Sequence, residues 1–159
     1  MKLLSIAIAL CFTGCVYTFS GSTLPSNIKT IEVPLFENMA LVYGAAESIT
    51  EVLAQKVVRE RLTLVARNGD AVIKGVVVSY RNTASDYAGT RDNLTILSSS
   101  VEIAADIVFL DVKNGREIYK GRIVSIGQYN FETESETDGR ARAVEDMTEK
   151  ILMNSVKSW

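Results

Sequence analysis

The chain has 159 residues, of which 47% are hydrophobic and 23% are charged, and this length predicts one domain with a core of ordinary size. Its formal net charge of -2 argues against a nucleic-acid partner, since such proteins usually carry a basic surplus. Histidine is absent and the two cysteines are Cys11 and Cys15, so the body of the chain offers no imidazole base and no cysteine-based zinc site, and we expect neither enzymatic activity nor a cofactor.

The chain begins with the pattern of a secretory leader. Lys2 supplies a positive charge, and the mostly apolar run Leu3–Phe12 follows it. That run is about half of the roughly 20 residues that a membrane-spanning helix needs. We therefore predict that residues 1–14 are a signal peptide, cleaved between Gly14 and Cys15.

The residues around the cleavage point resemble the lipobox of bacterial lipoproteins. Phe12, Thr13 and Gly14 precede Cys15, and the resemblance implies a diacylglycerol thioether and an N-acyl chain such as palmitate on that cysteine. Two or more acyl chains anchor a protein stably, whereas one does not. Val16 in place of aspartate after the cysteine resembles the address for the outer membrane. An ordinary cleaved leader with an incidental cysteine is the open alternative.

The first half of the mature chain predicts a tether, a strand and a helix. Residues 15–27 are rich in Ser, Thr, Gly and Pro and indicate a lipidated N-terminus with a flexible tether. Residues 28–159 form the predicted single domain. Apolar and polar residues alternate over Ile28–Phe36, which is typical of a half-buried strand. Over Ala45–Leu62 the apolar residues recur at steps of three and four, which predicts an amphipathic helix.

The second half predicts three strands. Ala71–Tyr80 is β-branched and apolar on nearly both faces, as in a strand near the centre of a sheet. Arg81–Leu94 is polar and rich in turn residues, which indicates a loop. Thr95–Val112 and Glu117–Phe131 alternate, and the Asn-Gly pair within Lys113–Arg116 predicts a hairpin closed by a two-residue turn. The length of the returning strand predicts that this hairpin projects from the core as a ribbon.

A second helix is predicted over Gly139–Lys157, after the acidic stretch Glu132–Asp138. The predicted order is therefore β-α-β-β-β-α, an α+β fold. A right-handed crossover would place the first strand parallel to a later one, and both helices would cover one face of a small mixed sheet.

Taken in order, several segments resemble the lipopolysaccharide-assembly lipoprotein family LptE. The resemblance covers nearly the whole mature chain, and none of its segments is a catalytic signature. The segments that carry it, besides the long helix, are Cys15, Tyr17–Gly21, Ile28–Ile31, Pro34–Asn38 and Val156–Trp159.

The resemblance implies a non-enzymatic role in the envelope of Gram-negative bacteria. Members of the LptE family sit as a plug inside the wide outer-membrane barrel LptD and assist delivery of lipopolysaccharide to the cell surface. We accordingly expect a protein held by its lipid on the periplasmic face of the outer membrane, with an LptD-like barrel and lipopolysaccharide as partners. A stand-alone periplasmic lipoprotein that binds a lipid or a peptide is the alternative.

Basic residues at predicted loop tips are the candidate contacts for lipopolysaccharide, because they can pair with its phosphates and carboxylates. Arg81 and Arg91 lie in the predicted loop after the second strand, and Lys113 and Arg116 lie at the hairpin. Solubilising charges on exposed turns are an equally good interpretation.

Overall fold

A computed structural model describes Pro25, residues 27–90 and residues 93–155. The predicted signal peptide, the cleavage point at Gly14 and Cys15, and most of the tether lie outside these residues. Arg91 and the C-terminal Trp159 lie outside them as well.

Within the described residues, the fold consists of two helices and a mixed sheet of six strands. The predicted α+β class is confirmed, and the order differs only by two short strands, which have two and three residues and are too short to show a periodicity. In chain order the elements are β1 (Thr30–Glu32), β2 (Glu37–Asn38), α1 (Ala45–Arg59), β3 (Thr63–Val65), β4 (Ala71–Thr90), β5 (Asn93–Asp111), β6 (Arg116–Asn130) and α2 (Glu136–Ser155).

The sheet has the strand order β3-β1-β4-β5-β6, and β2 adds to the same edge of β4 further along. Strand β1 runs parallel to both β3 and β4, as the crossover predicts. Strand β5 runs antiparallel to both of its neighbours, β4 and β6. The β-branched start of β4 lies in the middle of the sheet, which confirms its predicted position.

Helix α1 begins where predicted and ends earlier. Its buried side chains recur every four positions and include Ala45, Ile49, Leu53 and Val57. After Arg59 the chain turns because Arg61 adopts a left-handed conformation with φ 63°. The N–H of Leu62 then bonds to the carbonyl oxygen of Val57 at 3.3 Å, the pattern of a Schellman cap without its usual glycine.

Helix α2 begins at Glu136, three residues before the predicted start. Ser135 precedes it, and both the backbone N–H and the hydroxyl of Ser135 donate to Asp138, at 2.9 and 2.7 Å. This is one half of a capping box. The end of the acidic stretch therefore forms the first turn of the helix, where carboxylates are favoured by the helix dipole.

The predicted loop over Arg81–Leu94 is wrong. Strand β4 continues to Thr90 and β5 begins at Asn93, and the two pair throughout, from Ala71 opposite Asp111 to Thr90 opposite Asn93. This part of the pair is solvated on both faces, so its residues carry no apolar alternation. Backbone pairing, which no side-chain pattern reveals, holds the two strands together.

The projecting ribbon is formed by β4 and β5 rather than by the predicted hairpin. Pairing of β5 with β6 ends at Ser98 opposite Asn130, and no described strand pairs with β4 beyond Val77 except β5. We call residues 86–90 of β4 and 93–97 of β5 the distal ribbon. Strand β6 does not project because α2 packs along it: a Cβ at Gly127 would lie 1.9 Å from the carbonyl oxygen of Gly139.

The β5–β6 hairpin is confirmed, but its turn differs from the prediction. Asp111 pairs with Arg116, so four residues, Val112–Gly115, form the loop. Of these, only Gly115 has a positive φ, at 62°. Asn114 uses its side chain and its N–H to bond to Asp111, which favours the longer loop over a two-residue turn that needs two positive φ angles.

The core lies between the helices and one face of the sheet. Its largest buried side chains include Phe109, Ile31, Ile49, Leu53, Ile103, Met147 and Leu152. Phe36 reaches the core because Gly75 leaves space for it, and a Cβ at Gly75 would lie 2.1 Å from the ring of Phe36. Across residues 27–90 and 93–155, neither helix has both the length and the apolar character that crossing a bilayer requires.

Candidate interaction site

The carboxylate of Asp70 bonds to the chain at the start of β1, where it enters the sheet. Its Oδ2 accepts hydrogen bonds from the backbone N–H groups of Lys29 at 2.8 Å and of Thr30 at 3.0 Å. Its Oδ1 lies 2.7 Å from Nζ of Lys113. The ammonium of Lys113, followed by the two backbone donors, holds the pKa of Asp70 well below its usual range. The carboxylate therefore stays ionised and ties β1 to the β5–β6 turn.

Asp111 reinforces the same end of the sheet. It is fully buried and accepts bonds from the N–H and Nδ2 of Asn114 at 3.1 and 2.7 Å, and from Nδ2 of Asn27 at 3.2 Å. These donors, those of Asn114 first, lower the pKa of Asp111. Any group attached upstream of Asn27 thus joins the domain at this end, which we call the tether end.

A polar cluster lies toward the other end, where the ribbon leaves the helix layer. The hydroxyl of Tyr80 donates to Oε1 of Glu136 at 2.7 Å, and Nδ2 of Asn82 donates to Oε2 of Glu136 at 2.9 Å. Asn82 and the hydroxyl of Tyr129 also bond to each other. We call these four residues the root cluster. Burial, followed by the hydrogen bond to Glu136, raises the pKa of Tyr80 above its ordinary value.

The root cluster fixes the direction of the ribbon. It joins β4, through Tyr80 and Asn82, to β6 and to the first turn of α2. Hydrogen bonds of this kind to an ionised group are roughly twice as strong as neutral ones. The ribbon therefore continues the sheet as a fixed extension from its root.

Further along, polar side chains hold the two strands of the ribbon together. The hydroxyl of Ser98 donates to Oδ2 of Asp86 at 2.7 Å and lies 3.0 Å from the hydroxyl of Ser85. Register shifts of the bulge type occur between Ala84 and Asp86 and between Asp86 and Tyr87, and bulges increase strand twist. The result is a polar, twisted two-stranded extension.

The three candidate lipopolysaccharide contacts that the structure describes, Arg81, Lys113 and Arg116, are not brought together. Arg81 lies within β4, not in a loop, and forms an ion pair with Glu102 on β5. Lys113 and Arg116 lie at the tether end. Arg81 lies ten positions along β4 from Ala71, which is at that end, and this corresponds to roughly 33 Å at ~3.3 Å per residue. Two separate basic positions exist rather than one patch.

Several residues of this arrangement have no signature in the sequence. Asp70 follows the Asn-Gly turn, a position typical of surface turns. Asn82 lies in a stretch whose composition indicates a loop. Only Tyr129 and Glu136 stand where a pattern could have marked them, at the end of a strand and the start of a helix, and nothing in the sequence links the two to β4.

The groove between the helices is lined by charged side chains. Lys56 is buried, and its Nζ lies 2.9 Å from Glu145 and 3.2 Å from Glu149. Ala141, Arg142 and Asp146 complete the lining. Within the described ranges, no three acidic, cysteine or histidine side chains are grouped so that they could hold a metal ion.

No family model matches the chain, and no curated protein matches it. Solved structures do. The hypothetical protein CT253 from Chlamydia trachomatis is 8% identical, with 79% of this chain and 94% of that chain covered and a TM-score of 0.55. PelC from Paraburkholderia phytofirmans, solved as a dodecamer, is 15% identical over 80% of this chain and 86% of that one, with a TM-score of 0.50.

Lipoprotein GNA1162 from Neisseria meningitidis is 12% identical, with 77% of this chain and 96% of that chain covered, and its TM-score of 0.47 is too low to support an argument. At these identities the matches to CT253 and PelC establish a shared fold and nothing about function.

Proposed function

We propose that this chain is a non-enzymatic outer-membrane lipoprotein that plugs an LptD-like β-barrel and assists the insertion of lipopolysaccharide. The observation that carries the proposal is the polar ribbon of β4 and β5, which extends away from the end where the tether joins. An acylated Cys15 would hold the tether end at the membrane, and the opposite end would be free to enter a partner.

The ribbon suits a wide barrel for reasons of polarity and length. The lumen of such a barrel is polar, whereas its outer face is apolar. The polar part of β4, residues 81–90, spans at most about 33 Å at ~3.3 Å per residue, and the apolar band of an outer-membrane barrel is about 25 Å tall. A largely polar strand pair of this length can pass through much of the lumen, and the large apolar side chains that it exposes include Tyr87 and Leu97.

Arg81, on the ribbon side of the molecule, and Arg91 are proposed as lipopolysaccharide contacts. Arg81 is paired with Glu102, so a phosphate would have to compete with a carboxylate that already neutralises the guanidinium. Lys113 and Arg116, at the tether end, would serve a second contact nearer the anchored membrane. At both positions the proposed interaction is the same, between basic side chains and the anionic sugars of lipopolysaccharide.

Purification from the native membrane tests the proposal. The full chain, tagged at its C-terminus and extracted in a mild detergent, should recover a large β-barrel. A variant in which residues 86–97 are replaced by an Asn-Gly turn should recover much less. The deletion removes the outer rungs of the β4–β5 pair and one bond beside the end of β6, from the N–H of Phe131 to the carbonyl oxygen of Leu97 at 3.0 Å. Its thermal unfolding should confirm that the body still folds.

Cys15→Ser serves as the control for anchoring and should release the chain from membranes. A stable monomer recovered without any barrel would instead support the stand-alone lipid- or peptide-binding alternative. Equal recovery of the barrel by the shortened variant would contradict a plug built on the ribbon.

A further inference from the structure

The segment between β2 and α1 exposes three large apolar side chains. Met39, Leu41 and Tyr43 are 68%, 89% and 94% exposed, and they alternate along five residues that we call the apolar loop (Met39–Tyr43). Single apolar residues on a surface are ordinary, whereas a group this exposed usually marks an interaction site.

The backbone of the apolar loop is held in place although its side chains are not. The N–H groups of Met39 and Ala40 both donate to the carbonyl oxygen of Val77, at 2.9 and 3.1 Å. Nδ2 of Asn38 donates to the carbonyl oxygen of Val42 at 2.8 Å. The loop therefore belongs to the sheet edge and presents its side chains in a fixed arrangement, which lowers the entropic cost of binding.

Leu41 adopts a backbone conformation that leucine avoids. Its φ is 58°, in the left-handed region that mainly Gly, Asn and Asp visit. A strained residue persists only where its surroundings impose it, and such residues concentrate at functional sites. Here the strain keeps a leucine side chain in solvent, where it contributes nothing to the core.

The charges around the apolar loop are mainly acidic. Exposed Glu37 and Glu47 flank it in sequence. On the other side, Nη1 of Arg140 donates to the carbonyl oxygen of Tyr43 at 3.2 Å, so the loop lies beside the first turns of α2. The turn before α2 and the first turn of α2 carry Glu132, Glu134, Glu136 and Asp138. The cations of this region are Arg140 and Arg142, and Arg142 forms an ion pair with Glu134, so an acidic surplus remains.

We propose that the apolar loop is a preformed docking element for a protein whose surface offers an apolar recess bordered by Lys and Arg side chains. The acidic surroundings decide among the possible occupants. A bilayer with anionic headgroups would repel them, and a second copy of this chain would place like charges against each other. A partner protein with basic residues around its recess remains, and its charges complement those around the loop.

The position of the loop supports the same choice. It lies level with Val77 on β4, six residues beyond Ala71 at the tether end, or roughly 20 Å along the strand. The tether thus joins at a distance from the loop. The inference rests on the proposed function only in naming the barrel protein as the expected partner. The recess that receives the loop would lie on that protein outside its polar lumen.

Photo-crosslinking in the native cells tests the docking element. A photoreactive amino acid at Leu41 in the full chain should give a protein adduct, identified by mass spectrometry, whose yield falls as salt rises. The same amino acid at Met153, 52% exposed at the far end of α2, is the control and should give at least tenfold less of it. An adduct with a second copy, with lipid, or with nothing would overturn the inference, as would a yield that salt does not change.

A variant isolates the side chains from the fold. Leu41→Asn suits the positive φ, and together with Met39→Ser and Tyr43→Ser it should preserve thermal stability while reducing recovery of the partner at least tenfold. Val58→Ser, at a position 53% exposed on α1, is the matched control. Undiminished recovery of a barrel by the triple variant would contradict the docking element and leave the proposed plug function standing. In the crosslinking experiment, a salt-sensitive adduct with a different protein would support the docking element and contradict the plug function.

Discussion

Nζ of Lys150 on α2 donates a hydrogen bond of 2.9 Å to the carbonyl oxygen of Val124 on the edge strand β6. Four residues further along β6, the carbonyl oxygen of Gln128 accepts from Arg142, and the N–H of Asn130 donates to Glu134 at 2.8 Å. In an edge strand, alternate residues direct their backbone N–H and C=O groups away from the sheet. Side chains from α2 and from the turn before it thus bond to backbone groups that would otherwise pair with another strand, a recognised protection against edge-to-edge association.

The first prediction concerns this protected edge. In Arg142→Ala/Lys150→Ala the carbonyl oxygens of Val124 and Gln128 lose their donors, so we expect the double variant to self-associate at concentrations where the parent does not. Sedimentation velocity across a concentration series measures it. Lys74→Ala, which removes an exposed cation from β4, is the control and should behave as the parent. A double variant that sediments as the parent does would show that the edge needs no such protection.

The second prediction concerns the contact between β6 and α2. A Cβ at Gly127 would lie 1.9 Å from the carbonyl oxygen of Gly139 and 2.5 Å from the backbone nitrogen of Ala143, so Gly127→Ala must move the helix. Overpacking of this kind costs roughly 1–3 kcal/mol, and we expect a loss near the upper end, about 3 kcal/mol of unfolding free energy, measured by urea denaturation.

Gly121 in the same strand provides the control for Gly127. A Cβ there would meet the hydroxyl of Tyr119 at 2.8 Å, the far end of a side chain that can move aside. Gly121→Ala should therefore change the unfolding free energy by less than about 1 kcal/mol. Similar losses of unfolding free energy in the two variants would show that position 127 does not require glycine for the close approach of the β6 and α2 backbones.

The sequence predicts those parts of the fold whose side chains face a core. Helix α1 and the first half of β4 show the expected periods because their buried residues pack between the two layers. The β5–β6 hairpin follows from its turn residues, although Asn114 bonds to Asp111 and the loop is longer than predicted.

The remaining features depend on contacts between distant residues. The ribbon beyond Tyr80 is held by backbone pairing and by polar cross-strand bonds such as that of Ser98 to Asp86, which leave no apolar pattern. The root cluster requires Glu136 to meet Asn82, 54 positions away in sequence. Arg81 could be predicted as a basic residue, but its partner Glu102 depends on a register that only the paired strands reveal.

The third prediction concerns the root cluster. Tyr80→Phe removes the donor to Glu136 and leaves the ring, and we expect a cost of about 1 kcal/mol concentrated in the ribbon rather than spread over the domain. Amide hydrogen exchange should accelerate by roughly fivefold over residues 81–86 and 98–103 and stay unchanged in α1. Tyr87→Phe, in the distal ribbon, is the matched control. Uniform acceleration across the domain would assign Tyr80 to general stability instead of to the direction of the ribbon.

The fourth prediction concerns acid sensitivity at the start of α2. The guanidinium of Arg142, followed by the N–H of Asn130, lowers the pKa of Glu134 from 4.5 to about 2. A carboxyl whose pKa is lower in the folded state stabilises the fold above its unfolded pKa, and that contribution disappears as the pH falls through the folded value. The stabilisation by Glu134 should therefore be complete above about pH 5 and decline toward pH 2.

Arg142→Gln separates this contribution from the others. Without the guanidinium, the pKa of Glu134 should return toward its ordinary value. The parent should therefore have the higher unfolding free energy, and its difference from the variant should be largest near pH 6. The difference should shrink toward pH 2, where a smaller, pH-independent part due to the bond from Arg142 to Gln128 persists. Urea denaturation at half-unit pH steps measures the difference, with Lys74→Gln as the charge control. A difference that stays constant from pH 6 to pH 2 would show that Arg142 acts on the strand edge and not through the ionisation of Glu134.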